Sequence, residues 1–275
     1  MTDPDSKAEI HYRGKTLQLE YAWILPENRG PLIVFLHEGL GSLSMWRRFP
    51  EALCKAVGGR GLVYSRCGYG QSSALWPHRD WPVQFMHVEA CEILPRLFAA
   101  VGVDTAVSPP VLFGHSDGAS IAIIYACSFP NSLSALIAAA PHVFVEELTV
   151  ASIAETRRRF TDTDLSKRLQ KYHRDVEHAF WGWADVWLNP EFLKWNIETL
   201  LPQLRCPALL VQGYDDEYGT MRQIDGITAA AGHVDVLKLA HCGHSPHLDQ
   251  PNALIAAVAD FLGRSIALPR LGSAE

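Results

Sequence analysis

Ser116 stands in the run Gly114-His115-Ser116-Asp117-Gly118, which closes a short apolar stretch and opens a new apolar helical pattern. A serine between two glycines at that junction predicts a tight strand-to-helix elbow that projects the hydroxyl clear of the backbone. A neighbouring main-chain N–H would then aim at the same spot. A serine hydroxyl is nearly inert at neutral pH, so it needs a base to take its proton, and the base needs a partner to fix its tautomer. Both residue types follow later apolar stretches. Gly213-Tyr214-Asp215-Asp216 comes directly after Leu209 to Gln212, so either aspartate can project from that end. Ala240-His241-Cys242-Gly243-His244 comes just after a stretch ending at Leu239. The chemistry these types support together is acyl transfer through a covalent intermediate.

Elements that bring such residues together are legible along the chain. Glu9 to Trp23 alternates with a break at Arg13-Gly14-Lys15, which predicts two antiparallel strands and a tight turn. Leu32 to Leu36 is continuously apolar, as in a strand buried on both faces. A glycine-rich loop follows, His37-Glu38-Gly39-Leu40-Gly41-Ser42, and then Trp46, Phe49, Leu53 and Val57 at helical spacing. Gly61 to Ser65 is a strand and Arg66 to Ser72 a crossover loop. Gln84 to Val101 carries Phe85, Val88, Cys91, Leu94, Leu97 and Phe98 on one helical face, interrupted at Pro95. Val111 to Phe113 leads to the elbow, Ile121 to Cys127 continues the helix behind it, and Leu133 to Ala140 is the next strand.

Composition then shifts. His142 to Leu201 is rich in charge and aromatics, including Arg157-Arg158-Arg159 and Phe180 to Trp187, and reads as several helices inserted over the sheet's carboxyl edge. Alternation resumes with strand Ala208 to Gln212, a helix near Met221 to Ala231, strand Val234 to Leu239 and a helix from Asn252 to Leu262. The expected architecture is α/β, a mainly parallel twisted sheet with helices on both faces. Its core is residues 1–141 and 202–275, with a helical cap at 142–201. In such sheets, sites form at the carboxyl ends of the strands.

A net charge of −6 offers no basic stripe, so nucleic acid is not an expected partner. No apolar run approaches the roughly 20 residues that span a bilayer, and the polar start, Met1 to Ala8, lacks a signal-peptide pattern. A cytoplasmic enzyme with a small-molecule substrate, as monomer or homodimer, is the expectation. The six cysteines are scattered without a C-x-x-C pair, which fits reduced thiols. His241, His244 and His247 recur every three residues without a nearby cysteine, so no metal and no cofactor is expected.

Taken together, the chain resembles the α/β-hydrolase superfamily, in the group that carries a helical cap. The matching residues are His37 to Ser42 with Trp46 behind them, Gly68-Tyr69-Gly70-Gln71-Ser72, the Ser116 elbow, Gly213 to Asp216, Gly243-His244-Ser245-Pro246-His247 and Gln250-Pro251. The resemblance spans roughly residues 30 to 262 and keeps the family order of serine, acid, histidine. It implies Ser116 as nucleophile, His244 as general base and Asp216, rather than Asp215, as the acid. It also implies an oxyanion hole from the main-chain N–H of Asp117 with that of Gly39 or Leu40.

Two departures stand out. Glu38 occupies the place of a frequent glycine, and Asp117 that of a frequent apolar or aromatic residue. A carboxylate beside an oxyanion hole opposes the developing charge unless it is paired or turned away. Glu38 is therefore read as a contact for a substrate cation or an arginine. Trp181 and His142 complete the expected substrate contacts, with Phe180, Trp183 and Trp187 assigned to the cap core. The implied reaction is hydrolysis of a carboxylic ester or related acyl bond. Cleavage of a C–C bond in a ring-cleavage diketone, a thioester or a lactone is the alternative.

Overall fold

Alternation within each strand decides what covers the sheet. In the computed structural model, which describes residues 6–232 and 234–266, the strands are β1 (Lys7–Tyr12), β2 (Lys15–Ile24), β3 (Leu32–Leu36), β4 (Arg60–Tyr64), β5 (Val111–His115), β6 (Ala135–Ala139), β7 (Ala208–Gly213) and β8 (Val234–Leu239). They form one eight-stranded sheet in the order β1-β2-β4-β3-β5-β6-β7-β8. β1–β2 and β2–β4 pair antiparallel, and every later pair is parallel. Of the polar start, Met1 to Asp5 lie outside the described residues, while Lys7 and Ala8 pair with Glu20 and Leu19. Arg13 and Gly14 both take positive φ, 47° and 76°, as the two-residue hairpin turn requires.

The helices are α1 (Phe49–Ala56), α2 (Phe85–Val88), α3 (Leu94–Ala100), α4 (Asp117–Ser128), α5 (Glu147–Asp162), α6 (Leu165–Leu169), α7 (Val176–Trp187), α8 (Arg222–Ala230), α9 (Pro246–Asp249) and α10 (Pro251–Ser265). One face of the sheet, with Ile33, Phe35, Phe113, Ile137 and Val211, packs on α1 and α10 residues such as Leu53 and Phe261. The opposite face, with Val34, Leu36, Leu112, Leu136 and Leu210, packs on residues of α2, α3, α4 and the helical insertion. Burial on both faces explains why β3 and β5 to β7 are buried at every position and, apart from His115 and Gln212 near their carboxyl ends, carry no polar side chain.

The interrupted helix departs from expectation in register. Between α2 and α3 lies a π turn, Glu89–Ile93, ahead of Pro95, whose ring cannot donate an N–H. The extra residue in that turn moves the buried positions to Ala90 and Ile93 and leaves Val88 and Cys91 only partly buried. It also brings Glu89 into the interior, 2% exposed. Residues 142–201 hold α5, α6, α7 and 3-10 turns, and the 3-10 turn Glu198–Gln203 that spans the end of this segment packs on α4 and α8. Among the described residues no helix is long and apolar enough to cross a membrane.

Candidate functional site

The elbow forms because three backbones meet. Ser116 is held at φ 53°, ψ −121°, a sparsely populated conformation that stores about 1–3 kcal/mol. Its N–H donates to the Ala139 carbonyl at 2.9 Å, and its carbonyl accepts from Ala119 and Ser120 at 2.8 and 3.0 Å. A side chain at Gly114 would begin 2.3 Å from the Gly118 carbonyl oxygen, and one at Gly118 would begin 2.1 Å from that of Leu36. Neither glycine has positive φ, so both are required by close approach. β5 runs two residues further than expected, to His115, and α4 starts at once with Asp117.

Ser116, Asp216 and His244, separated by up to 128 positions, meet at the carboxyl ends of β5, β7 and β8. His244 Nε2 lies 2.8 Å from Ser116 Oγ. His244 Nδ1 lies 2.9 Å from each oxygen of Asp216. With Nδ1–H donated to the carboxylate, Nε2 is left to accept from the serine hydroxyl. Asp216 is itself fixed, because it accepts from Gln212 Nε2 at 2.7 Å and from the main-chain N–H groups of Tyr218 and Gly219 at 2.8 and 3.1 Å. Burial pushes its pKa up, but the hydrogen bonds and charge of His244 more than offset this and hold it below the usual carboxylate value. Asp215 is exposed.

The loop after β3 faces the elbow. Asp117 is the first residue of α4, so its N–H has no carbonyl within the helix to bond. Leu40 has φ 63°, and its carbonyl accepts from His173 Nε2 at 2.9 Å while His173 Nδ1 accepts the Gly70 N–H at 3.0 Å. The Glu38 carbonyl accepts from His37 Nδ1 at 2.7 Å and Arg66 Nη2 at 2.9 Å. His37 Nε2 in turn accepts the Arg66 N–H at 2.9 Å. That carbonyl and the Gly39 N–H share one peptide plane, so fixing the one fixes the direction of the other. His37 thus holds its loop.

Both anomalous acids are paired. Asp117, 1% exposed, accepts from Arg66 Nη2 at 3.3 Å and from Trp187 Nε1 at 3.2 Å. Arg66 is 2% exposed and lies 4.7 Å over the Tyr69 ring. Glu89 completes this interior cluster and accepts from the Tyr64 hydroxyl at 3.2 Å. Burial raises the Glu89 carboxyl to about 7 despite the attraction of Arg66. Glu38 pairs with no arginine side chain; its Oε2 lies 3.2 Å from His115 Nδ1.

Trp181 and Trp183 of α7 meet different surroundings. Trp181 was expected to contact substrate, yet its Nε1 donates to Glu177 at 2.7 Å, and Arg79 and Arg157 lie 4.4 and 5.3 Å over its ring. Helical spacing from the core residue Phe180 turns it outward to this charged shell. Trp183 is buried in the core beside Phe180, as expected, and also reaches the loop after β3: a Cβ on Gly39 would lie 2.2 Å from its Nε1. His142, a further expected contact, lies beside His244 with ring centroids 5.9 Å apart. Its Nδ1 is buried without a partner, and burial with the charge near His244 lowers its pKa to about 3. Tyr218 flanks the other side at 4.8 Å. Arg66, Glu89 and His173 escaped sequence reasoning, since their partners are distant in sequence, and Gln212 because its strand position gave no sign that it faces Asp216. Among the described residues no group of three or more metal-ligating side chains is present.

A model of the alpha/beta hydrolase family matches residues 33–258 of this chain. Among curated proteins, the chain is 24% identical over 276 residues to the sn-1-specific diacylglycerol lipase ABHD11 of Mus musculus, covering 90% of this chain and 86% of that protein. It is 21% identical over 276 residues to the proline iminopeptidase of Lactobacillus helveticus, covering 84% and 90%. Among solved structures, a thermophilic esterase from Thermogutta terrifontis superposes with TM-score 0.73 at 18% identity, covering 94% of this chain and 98% of the other. The enol-lactonase of Burkholderia xenovorans LB400 superposes with TM-score 0.68 at 17% identity, covering 90% and 97%.

Proposed function

Since the chain belongs to the alpha/beta hydrolase family, we propose that it hydrolyses a carboxylic ester or closely related acyl bond of a small molecule through an acyl-enzyme on Ser116. The observation that carries this reading is the continuous hydrogen-bonded line from Ser116 Oγ through the His244 ring to Asp216, at 2.8 and 2.9 Å. Ser116 attacks the carbonyl as His244 Nε2 takes its proton. The imidazolium that forms is stabilised by Asp216 and then protonates the leaving alcohol. Water, activated by the same His244, releases the acid. The developing oxyanion is bound by the N–H groups of Asp117 and of Gly39 or Leu40, where losing one donor typically costs about 3 kcal/mol of transition-state stabilisation.

Substrate selection falls to the residues around this line. Trp183 and Leu40 bound the loop side, while His142 and Tyr218 flank the His244 ring. The relatives support acyl transfer in general, their names covering a lipase, an esterase, an enol-lactonase and a peptidase.

The test is a fluorophosphonate probe combined with p-nitrophenyl esters, thioesters, lactones and ring-cleavage diketones as substrates. Wild type is expected to be labelled and to turn over esters, and Ser116→Ala to do neither. Labelling that survives Ser116→Ala rejects the nucleophile, and turnover confined to the diketones rejects the ester.

A further inference from the structure

We propose that His115 is a positioning residue: a buried imidazolium that, with the Glu38 carboxylate, pins the main chain of His244 to the loop bearing Gly39 and Leu40. The inference rests on the reading of Ser116 and His244 given above and adds a residue to it.

The argument starts from what each ring nitrogen of His115 touches. Nδ1 lies 3.2 Å from Glu38 Oε2, and Nε2 lies 2.7 Å from the carbonyl oxygen of His244. A carboxylate and a main-chain carbonyl are both acceptors without a hydrogen to give. Both bonds therefore form only if both ring nitrogens carry protons, which makes the ring a cation. Turning the ring over would set carbon atoms against both oxygens and satisfy neither. The ring is wholly buried, at 0% exposure, where an unpaired cation would be expelled as a proton. Glu38 supplies the countercharge.

The groups facing the ring agree with a single charge at this place, including His142, which feels the His115 charge and whose pKa is lowered to about 3, mainly by burial. His247 packs on it with centroids 4.8 Å apart, its Nδ1 unpartnered, and burial together with the His115 charge pushes its pKa down to about 3. Trp46 presents its ring at 6.4 Å, and the His244 ring lies at 5.2 Å. The Asp216 carboxylate acts on His115 in the same sense as Glu38, favouring the proton, and Arg47 faces the His247 side. Burial opposes the charge on His115, but Glu38, the His244 carbonyl and Asp216 outweigh it and raise its pKa above the ordinary histidine value.

The connection is functional because of what it joins. His115 precedes Ser116 in the elbow, Glu38 precedes Gly39 in the loop after β3, and His244 carries the base. One side chain thereby ties together the three backbone segments whose relative positions set nucleophile, oxyanion donors and base. Glu38 reaches His115 by folding back over its own loop, where a Cβ on Gly41 would lie 2.7 Å from its carboxylate. A site misplaced by about 1 Å loses on the order of a hundredfold in rate.

The sign of the pH effect follows. The doubly bonded state is complete below the ordinary histidine pKa and is lost as pH rises through the raised value, because one bond then lacks its proton.

Nitrogen-15 NMR of histidine-labelled protein tests the charge directly, without any turnover. At pH 7, protons on both ring nitrogens of His115 are expected. An unprotonated Nδ1, with the proton on a neutral Glu38, overturns the proposal. Glu38→Gln keeps the shape and removes the charge. It is expected to convert His115 to a neutral ring, lower kcat roughly ten- to a hundredfold with KM within about twofold, and move the alkaline limb of the kcat profile to lower pH. An unchanged kcat and pH profile in this variant overturns the positioning role. A wild type that shows both ring protons but hydrolyses no ester refutes the hydrolase reading alone.

Discussion

Replacing Asp117 by Asn tests the interior charge cluster beneath the elbow, and the expected effect depends on pH through a residue 28 positions away. Asn keeps the volume and the acceptor for Trp187 Nε1 but removes the partner of Arg66, 3.3 Å away. At an effective dielectric of 20 that separation corresponds to about 5 kcal/mol of attraction, and breaking a buried pair typically destabilises by about 3–5 kcal/mol. Glu89 can take over the role, provided it ionises. Its folded pKa of about 7 is raised from 4.5. The native state therefore favours the protonated acid, and this contribution to stability, full below 4.5, is lost as pH rises through about 7. Those 2.5 units correspond to about 3 kcal/mol.

In Asp117→Asn, ionised Glu89 becomes the countercharge of Arg66. Near pH 8 the carboxylate is already present and the substitution is expected to be mild. Near pH 5 the carboxyl is protonated in the wild type, and drawing its proton off adds up to about 3 kcal/mol to the loss. The raised pKa of Asp117 itself, from burial that outweighs Arg66, acts in the same direction. Urea unfolding of wild type, Asp117→Asn, Glu89→Gln and the double variant at pH 5 and pH 8 provides the check. In the Glu89→Gln background, Asp117→Asn should destabilise by about 3–5 kcal/mol at both pH values. Equal losses at the two pH values in the otherwise wild-type protein would refute the reasoning.

Asp216→Asn preserves the hydrogen bond to His244 but no longer imposes the tautomer that leaves Nε2 free to accept. It should lower kcat by about 10⁴-fold, as read by steady-state hydrolysis of a p-nitrophenyl ester. Trp183→Phe should shift the ratio of kcat/KM between short and long acyl chains, with about 1–3 kcal/mol at stake per methylene-sized change in fit. Trp181→Ala should leave that ratio unchanged, because its ring lies between Arg79 and Arg157.

The parallel core and the Ser116–His244–Asp216 line were legible because each rests on local patterns. Continuous apolar runs mark doubly covered strands, and turn residues at their ends carry the chemistry. Boundaries slipped where backbone geometry intervened. The positive φ of Ala140, 49°, closes β6 one residue before the apolar run ends. The π turn inserts one residue into the helical register and so brings Glu89 inward where an unbroken helix of the expected face would not. Helical spacing places Phe180, Trp183 and Trp187 on the buried face of α7, but it does not say which of them meets the loop after β3. Only the contact with Gly39 settles it. Arg66 and His173 were illegible for a different reason. Each acts through main-chain carbonyls, which leave no mark on residue type.

Glu38 and Asp117 are the residues that sequence alone makes hardest to reconcile with an oxyanion. A carboxylate within a few ångströms of a developing negative charge would raise the barrier that the elbow is built to lower. The structure gives each acid its own buried cation, His115 for Glu38 and Arg66 for Asp117. Each pair is close to neutral as a unit, so under the proposed acyl transfer neither acid would set a net negative charge against the oxyanion. Each cation also holds main chain of the site: Arg66 the Glu38 carbonyl, His115 that of His244. Hence the acids serve to retain two buried cations, and the cations serve to hold backbone. Removing an acid should therefore loosen the grip of its partner on main chain, by discharging His115 or by unpairing Arg66, and impair positioning before it changes charge at the reacting carbon. That order predicts a fall in kcat with little change in KM for both Glu38→Gln and Asp117→Asn.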